Sequence, residues 1–207
     1  MENKKVIFWN VDTQVDFVEP EGKLYVQGAE KIKPLWQQIT DFAKQKNITV
    51  VNTADFHYPE SAELSDEPDF VNTFPQHCMA NTTGAEYVAE TQPNNPVVFE
   101  WNEDYDSFEA VRKARNIVIR KDAFDVFAGN PFTDNVLQLL SPETVVVYGV
   151  TTNVCVNDAV VGLSKRVKRV IVVKDAIKEL PNIPLPFDVW KKLGVEMMTF
   201  EELAAQL

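Results

Sequence analysis

The chain has 207 residues, 45% of them hydrophobic, a formal net charge of −11, and only two cysteines and two histidines. That length supports one sizeable core, so a single domain over residues 1–207 is expected. The acidic balance repels phosphate backbones, two cysteines make no disulfide framework, and no apolar run approaches the ~20 residues of a membrane helix, which argues against nucleic-acid, disulfide-scaffold and membrane-spanning roles.

Residues 1–5 are charged and run into a strand without the apolar region of a signal peptide, so a cytoplasmic location is expected. Residues 6–11 form a nearly unbroken apolar run, the pattern of a strand covered on both faces, and it ends at Asp12. No glycine-rich phosphate loop follows, which disfavours a dinucleotide cofactor. After a loop with Pro20, Gly22 and Gly28, the residues Ile32, Leu35, Trp36, Ile39, Phe42 and Ala43 recur with helical period, and Pro34 fits its first turn. A second strand reads at 48–53.

The stretch from Asp55 to Tyr87 has neither helical nor strand period, and loops of that length in compact domains usually carry function. It holds both histidines, His57 in Asp55-Phe56-His57 and His77 in Phe74-Pro75-Gln76-His77-Cys78. Such oxygen and nitrogen donors suit zinc, iron or manganese, with positions left for water or substrate. The alternative is two solvent-facing loop histidines.

Further strands read at 97–100, 117–120, 144–148, 170–173 and 195–199, with helices at 107–114, 133–140, 153–165, 187–192 and 200–206. The basic residues of 165–169 close a helix, where cations meet the negative end of its dipole. Alternating strands and helices imply a three-layer α/β/α sandwich with a six-stranded, mainly parallel, Rossmann-like sheet and right-handed crossovers. Ligands of such sheets bind beyond the strand carboxyl ends.

Three polar residues stand at those ends: Asp12, Lys121 and Cys155. The run 145–150 breaks at Gly149 and delivers Cys155 to a helix N-terminus, where unpaired N–H groups and the dipole favour the thiolate. If the strands are neighbours, a carboxylate is placed to accept the thiol proton and an ammonium to support the thiolate. Taken singly, Asp12 also reads as a turn former, Lys121 as a solvated charge and Cys155 as core filler.

Three segments carry a resemblance: Asp12-x-Gln14-x-Asp16-Phe17, Lys121 within Arg120-Lys121-Asp122-Ala123-Phe124-Asp125-Val126-Phe127, and Gly149-Val150-Thr151-Thr152-Asn153-Val154-Cys155-Val156. In this order they resemble the signatures of the isochorismatase-like cysteine hydrolases. The resemblance implies Asp12 as general base, Lys121 as charge stabiliser and Cys155 as nucleophile. It also implies a cis peptide between Val150 and Thr151, with the N–H groups of Thr151 and Cys155 as an oxyanion hole.

Asp55-x-His57, with His77 in the segment 75–86, is similar to the metal site of nicotinamidases. The similarity implies a divalent metal, zinc first and iron or manganese next, that binds a pyridine nitrogen. Many bacterial nicotinamidases carry another histidine shortly after the Asp-x-His pair. Here Glu60, Glu63, Asp66 and Glu67 fill that interval, and Glu63 is taken as the substitute ligand. Phe74 stands where tryptophan is common and Phe17 is placed opposite as a second aromatic wall, though both also fit ordinary core packing.

The expected reaction is nicotinamide plus water to nicotinate plus ammonia through a thioester, and the expected partner is a small-molecule amide. The alternative is a metal-free hydrolase of another small amide or carbamoyl compound. Isochorismate hydrolysis needs no cysteine, so Cys155 argues against it, and a non-enzymatic scaffold would not need all three of Asp12, Lys121 and Cys155. The resemblance also suggests a homo-oligomer.

Overall fold

The computed structural model describes residues 6–207; the leaderless start read at residues 1–5 lies outside them. Seven strands, β1 (Val6–Val11), β2 (Thr49–Asp55), β3 (Val97–Phe99), β4 (Asn116–Lys121), β5 (Thr144–Val150), β6 (Arg169–Lys178) and β7 (Glu196–Met198), form one sheet in the order β3-β4-β2-β1-β5-β6-β7. Every pairing is parallel. The expected architecture holds, with seven strands rather than six, because all seven apolar segments join the sheet.

The helices are α1 (Val15–Val18), α2 (Lys33–Gln45), α3 (Val126–Gly129), α4 (Thr133–Leu140), α5 (Cys155–Ser164), α6 (Phe187–Lys192) and α7 (Phe200–Ala204). On one sheet face Trp36 and Ile39 of α2 and Leu203 of α7 cluster with Phe8, Val146 and Ile171. On the other, Val136 of α4 and Val156 and Val160 of α5 cluster with Ile7, Trp9, Ile117 and Val147. Alternate residues of each strand thus enter different cores, which is why the strands read as unbroken apolar runs. Among the described residues no helix is long and apolar enough to cross a membrane.

Two expectations shift. The helix read at 107–114 is a short 3-10 helix, Glu109–Arg112, in which only Val111 is buried; one buried side chain gives a helix no apolar face to dock. The strand read at 170–173 runs on to Lys178, past the exposed pair Lys174 and Asp175 that breaks its apolar pattern in sequence.

The sheet order makes the carboxyl ends of β4, β2, β1 and β5 neighbours. Lys121 is the register partner of Asp55 across β4 and β2, and Val11 that of Gly149 across β1 and β5. Gly149 has φ +123°, and a Cβ there would sit 2.0 Å from the Val11 carbonyl oxygen, so only glycine lets β5 close on β1 at this level.

Candidate active site

Asp12 leaves β1 with φ +46°, donates its N–H to the Thr53 carbonyl and accepts a 2.6 Å bond from the Thr53 hydroxyl. Its other oxygen lies 3.0 Å from Lys121 Nζ. The same ammonium forms an ion pair with Asp55 and donates toward Cys155 Sγ at 3.8 Å. One oxygen each of Asp12 and Asp55 and the sulfur of Cys155 lie within 4.8 Å of one another. Cys155 opens α5, and the Val150–Thr151 peptide before it is cis, as the resemblance implied.

Burial sets the protonation of this cluster. It opposes charge on Lys121, but Asp12 and Asp55 outweigh it and hold the ammonium well above the ordinary lysine value. Burial likewise opposes charge on Asp55, yet the Lys121 ammonium outweighs it and holds that carboxyl well below its usual range. On Asp12 burial wins, helped by Asp55, and raises the pKa against the pull of Lys121. Burial also pushes the Cys155 thiol well above its ordinary value; Lys121 only partly offsets this, while Asp12 and Asp55 add to it. Burial thus works against the thiolate expected from the helix N-terminus.

The sulfur faces a narrow cleft walled by Phe17, Leu24, Phe74, Phe124, Val154 and Leu180, with Asp55, His77 and Thr151 at its polar end. Phe17 and Phe74 both pack on the His77 ring, at 5.3 and 6.3 Å between centroids. A larger cavity of about 620 Å³ is lined by Ala54, Val118 and Arg120, which alternate with Asp55 and Lys121 along their strands and so point away from the sulfur.

Asp55, His57 and His77 offer one donor atom each within 4.8 Å of one another. The two imidazole Nε2 atoms lie 3.8 and 3.6 Å from Asp55 Oδ2. Both histidines are buried, at 0% and 1% exposure, which rules out solvent-facing loop residues. Asp55 Oδ2 and His57 Nε2 are buried without a hydrogen-bond partner, and such orphaned atoms call for a ligand. His77 Nδ1 donates to the Pro75 carbonyl and His57 Nδ1 to Asp122, which turns both Nε2 lone pairs inward. This donor set fits a divalent cation.

Glu63 stays outside the group. Its Oε1 accepts from the Phe124 N–H at 2.6 Å, which ties it to the loop after β4, while its Oε2 is buried without a hydrogen-bond partner. Burial, with Asp55 adding, raises its pKa to about 7.

A family model described as the isochorismatase domain matches residues 6–184. The chain belongs to the isochorismatase family. Its fold is similar to that of N-carbamoylsarcosine amidase from Thermoplasma acidophilum, with a TM-score of 0.73 at 22% identity over 94% of this chain and 96% of that one. It is also similar to that of the pyrazinamidase of Pyrococcus horikoshii in complex with zinc, with a TM-score of 0.71 at 24% identity over 95% and 99%. A nicotinamidase/pyrazinamidase from Mycobacterium tuberculosis is 30% identical over 77 residues, which span 37% of this chain and 40% of that protein.

Other residues build this isochorismatase-family site, although the sequence assigned them no role in it. Gln14 Nε2 donates to the Asp55 and Ala85 carbonyls, and its Oε1 accepts the Asp55 N–H, locking the end of β2. Asp16 accepts the Cys78 N–H at 2.7 Å and so fastens the segment next to His77. A Cβ on Gly84 would stand 2.1 Å from that carboxylate, which accounts for a glycine there. Asp122, beside Lys121, reaches His57.

Proposed function

We propose that this protein is a cysteine amide hydrolase that acts on an uncharged heteroaromatic carboxamide of the nicotinamide type, releasing the carboxylate and ammonia. The observation that carries the reading is the meeting of Asp12, Lys121 and Cys155 at the base of an aromatic-walled cleft. Because burial keeps the sulfur protonated, its proton moves to Asp12 as the sulfur attacks the amide carbon. The elevated pKa of Asp12 makes it a stronger base than an exposed aspartate. Lys121 stays charged beside it and offsets the negative charge that attack creates.

Thr152, Val154 and Val156 direct their N–H groups to the carbonyls of Lys178, Thr151 and Thr151, which supports Thr151 and Cys155 as the donors to the developing oxyanion. Asp12 returns the proton to nitrogen, ammonia leaves, and water cleaves the thioester, giving the acid and the free thiol. Asp55, His57 and His77 would hold a divalent cation, zinc first and iron or manganese next, which would supply Lewis-acid chemistry to the bound amide.

The described residues that line the cleft include no arginine or lysine. Its walls, Phe17, Leu24, Phe74, Phe124, Val154 and Leu180, are apolar and suit a flat uncharged ring. An ammonia-release assay across nicotinamide, pyrazinamide, aliphatic amides and N-carbamoyl amino acids, with and without added divalent metal, tests the reading. Release from the two aromatic amides, lost in Cys155→Ala, is expected; release from aliphatic or carbamoyl compounds alone overturns it.

A further inference from the structure

We infer that Asp122 is a positioning residue for the metal centre, a carboxylate that clamps His57 with its proton on Nδ1 and its Nε2 aimed at Asp55 and His77. The inference rests on the reading of Asp55, His57 and His77 as metal ligands and adds the group that orients one of them.

Asp122 Oδ1 lies 2.8 Å from His57 Nδ1 and accepts a 2.5 Å bond from the Ser61 hydroxyl. Ser61 is itself held, because its Oγ accepts the Tyr58 N–H at 2.9 Å and its N–H donates to the Tyr58 carbonyl. The backbone on each side is fixed as well. Asp122 donates its N–H to the Gly129 carbonyl, and Phe56, next to His57, donates to the Lys121 carbonyl. His57 closes the frame by donating to the Cys78 carbonyl and accepting from the Ala80 N–H.

A carboxylate has no proton to give, so the nitrogen facing it must carry one, and in the neutral ring that a metal requires Nε2 keeps its lone pair. That atom is buried and unpartnered, 3.8 Å from Asp55 Oδ2. His77 is fixed in the same tautomer by a neutral carbonyl, which makes His57 the more basic donor of the two. The clamp also joins the loop after β2 to the residue that follows Lys121, so the candidate metal group and the charge cluster share one rigid frame.

The test uses the full chain, stripped of metal, with Zn²⁺ affinity read by competition against a chromophoric chelator and the Co²⁺ absorption spectrum as a second readout. Asp122→Ala is expected to weaken Zn²⁺ by about 10- to 100-fold and to shift the Co²⁺ bands. Asp122→Asn keeps an acceptor oxygen but no charge, and its loss should be smaller and still measurable. Thermal melting of the metal-free variants serves as the control. Lowered melting with unchanged Zn²⁺ affinity overturns the proposal, because a merely structural residue gives that result. Should Asp122→Ala fail to fold, Asp122→Asn decides alone, and wild-type affinity in it overturns the role. A wild-type chain that binds neither ion overturns the metal reading itself, and that failure is distinct from the failure of Asp122.

Discussion

Asp55 and Lys121 are register partners on β2 and β4, and their side chains form an ion pair inside the protein with 1% exposure on each side. The pairing makes the strand alignment and the charge balance of the site one fact, since a slip by one residue would send both groups to the opposite core. Asp12, 3.0 Å from the same ammonium, gives one cation two anions to serve.

Lys121→Met therefore leaves two buried carboxylates facing each other with no cation between them. Breaking a buried pair by removing one partner costs about 3–5 kcal/mol, a large part of a domain's total stability. Urea denaturation of the metal-free protein at pH 7 should show that loss. Lys121→Met combined with Asp12→Asn should recover part of it, and no recovery in the double variant would show that the cost is not electrostatic.

The state of the sulfur gives a second prediction. Burial holds the Cys155 thiol well above its ordinary value, so the thiolate fraction at pH 7 is small and grows as pH rises. Alkylation by iodoacetamide, followed by peptide mass spectrometry on the metal-stripped, substrate-free protein, should climb through pH 9 without a plateau. Cys78 provides an internal comparison because burial raises it too. A plateau for Cys155 below pH 7 would mean that Lys121 and the helix N-terminus outweigh burial after all.

A third prediction concerns Gly149→Ala. The methyl group would meet the Val11 carbonyl oxygen at 2.0 Å and adopt φ +123°, a conformation that costs an L-residue roughly 1–3 kcal/mol before the clash is counted. β5 must then move off β1, carrying Thr151 and Cys155 away from Asp12. A displacement of that kind can reduce turnover by about 100-fold, so kcat should fall more than the loss of folded protein explains. Circular dichroism and kcat measured on the same samples separate the two effects.

The convergence of side chains was legible in sequence where a strand supplied the address. Asp12, Lys121 and Cys155 each follow or end an apolar run, and a parallel sheet gathers strand ends whichever helices intervene. Asp122 had no such address, since an acid after a strand reads as a turn residue, and its partner Ser61 sits 61 positions away in a loop without period. The setting of Glu63 was hidden for a related reason: one of its oxygens is held by the Phe124 N–H, a contact between distant segments, and the other is left buried without a partner. The burial of Cys155 was also hidden, because sequence reports the helix N-terminus and not the desolvation that opposes it.

Asp158 offers a test of electrostatics away from the site. It lies in the first turn of α5, where the helix dipole favours a carboxylate by about 0.3–1 kcal/mol. Burial and the nearby charge of Asp125 work the other way and raise its pKa above 3.8, only partly offset by Lys121 and by the Asn157 amide. A carboxyl whose folded pKa is raised binds its proton more tightly in the native state, so its stabilising contribution is present below the unfolded value and lost as pH rises through the folded one. Asp158→Asn removes that loss, and its Oδ1 still accepts from Asn157, whose bond to the native carboxylate measures 3.2 Å. The variant should melt higher than the wild type at pH 7.5, and the gap should close toward pH 3.5. Scanning calorimetry at the two pH values reads both numbers, and a lower melting point for the variant at pH 7.5 would show that the dipole outweighs burial at this position.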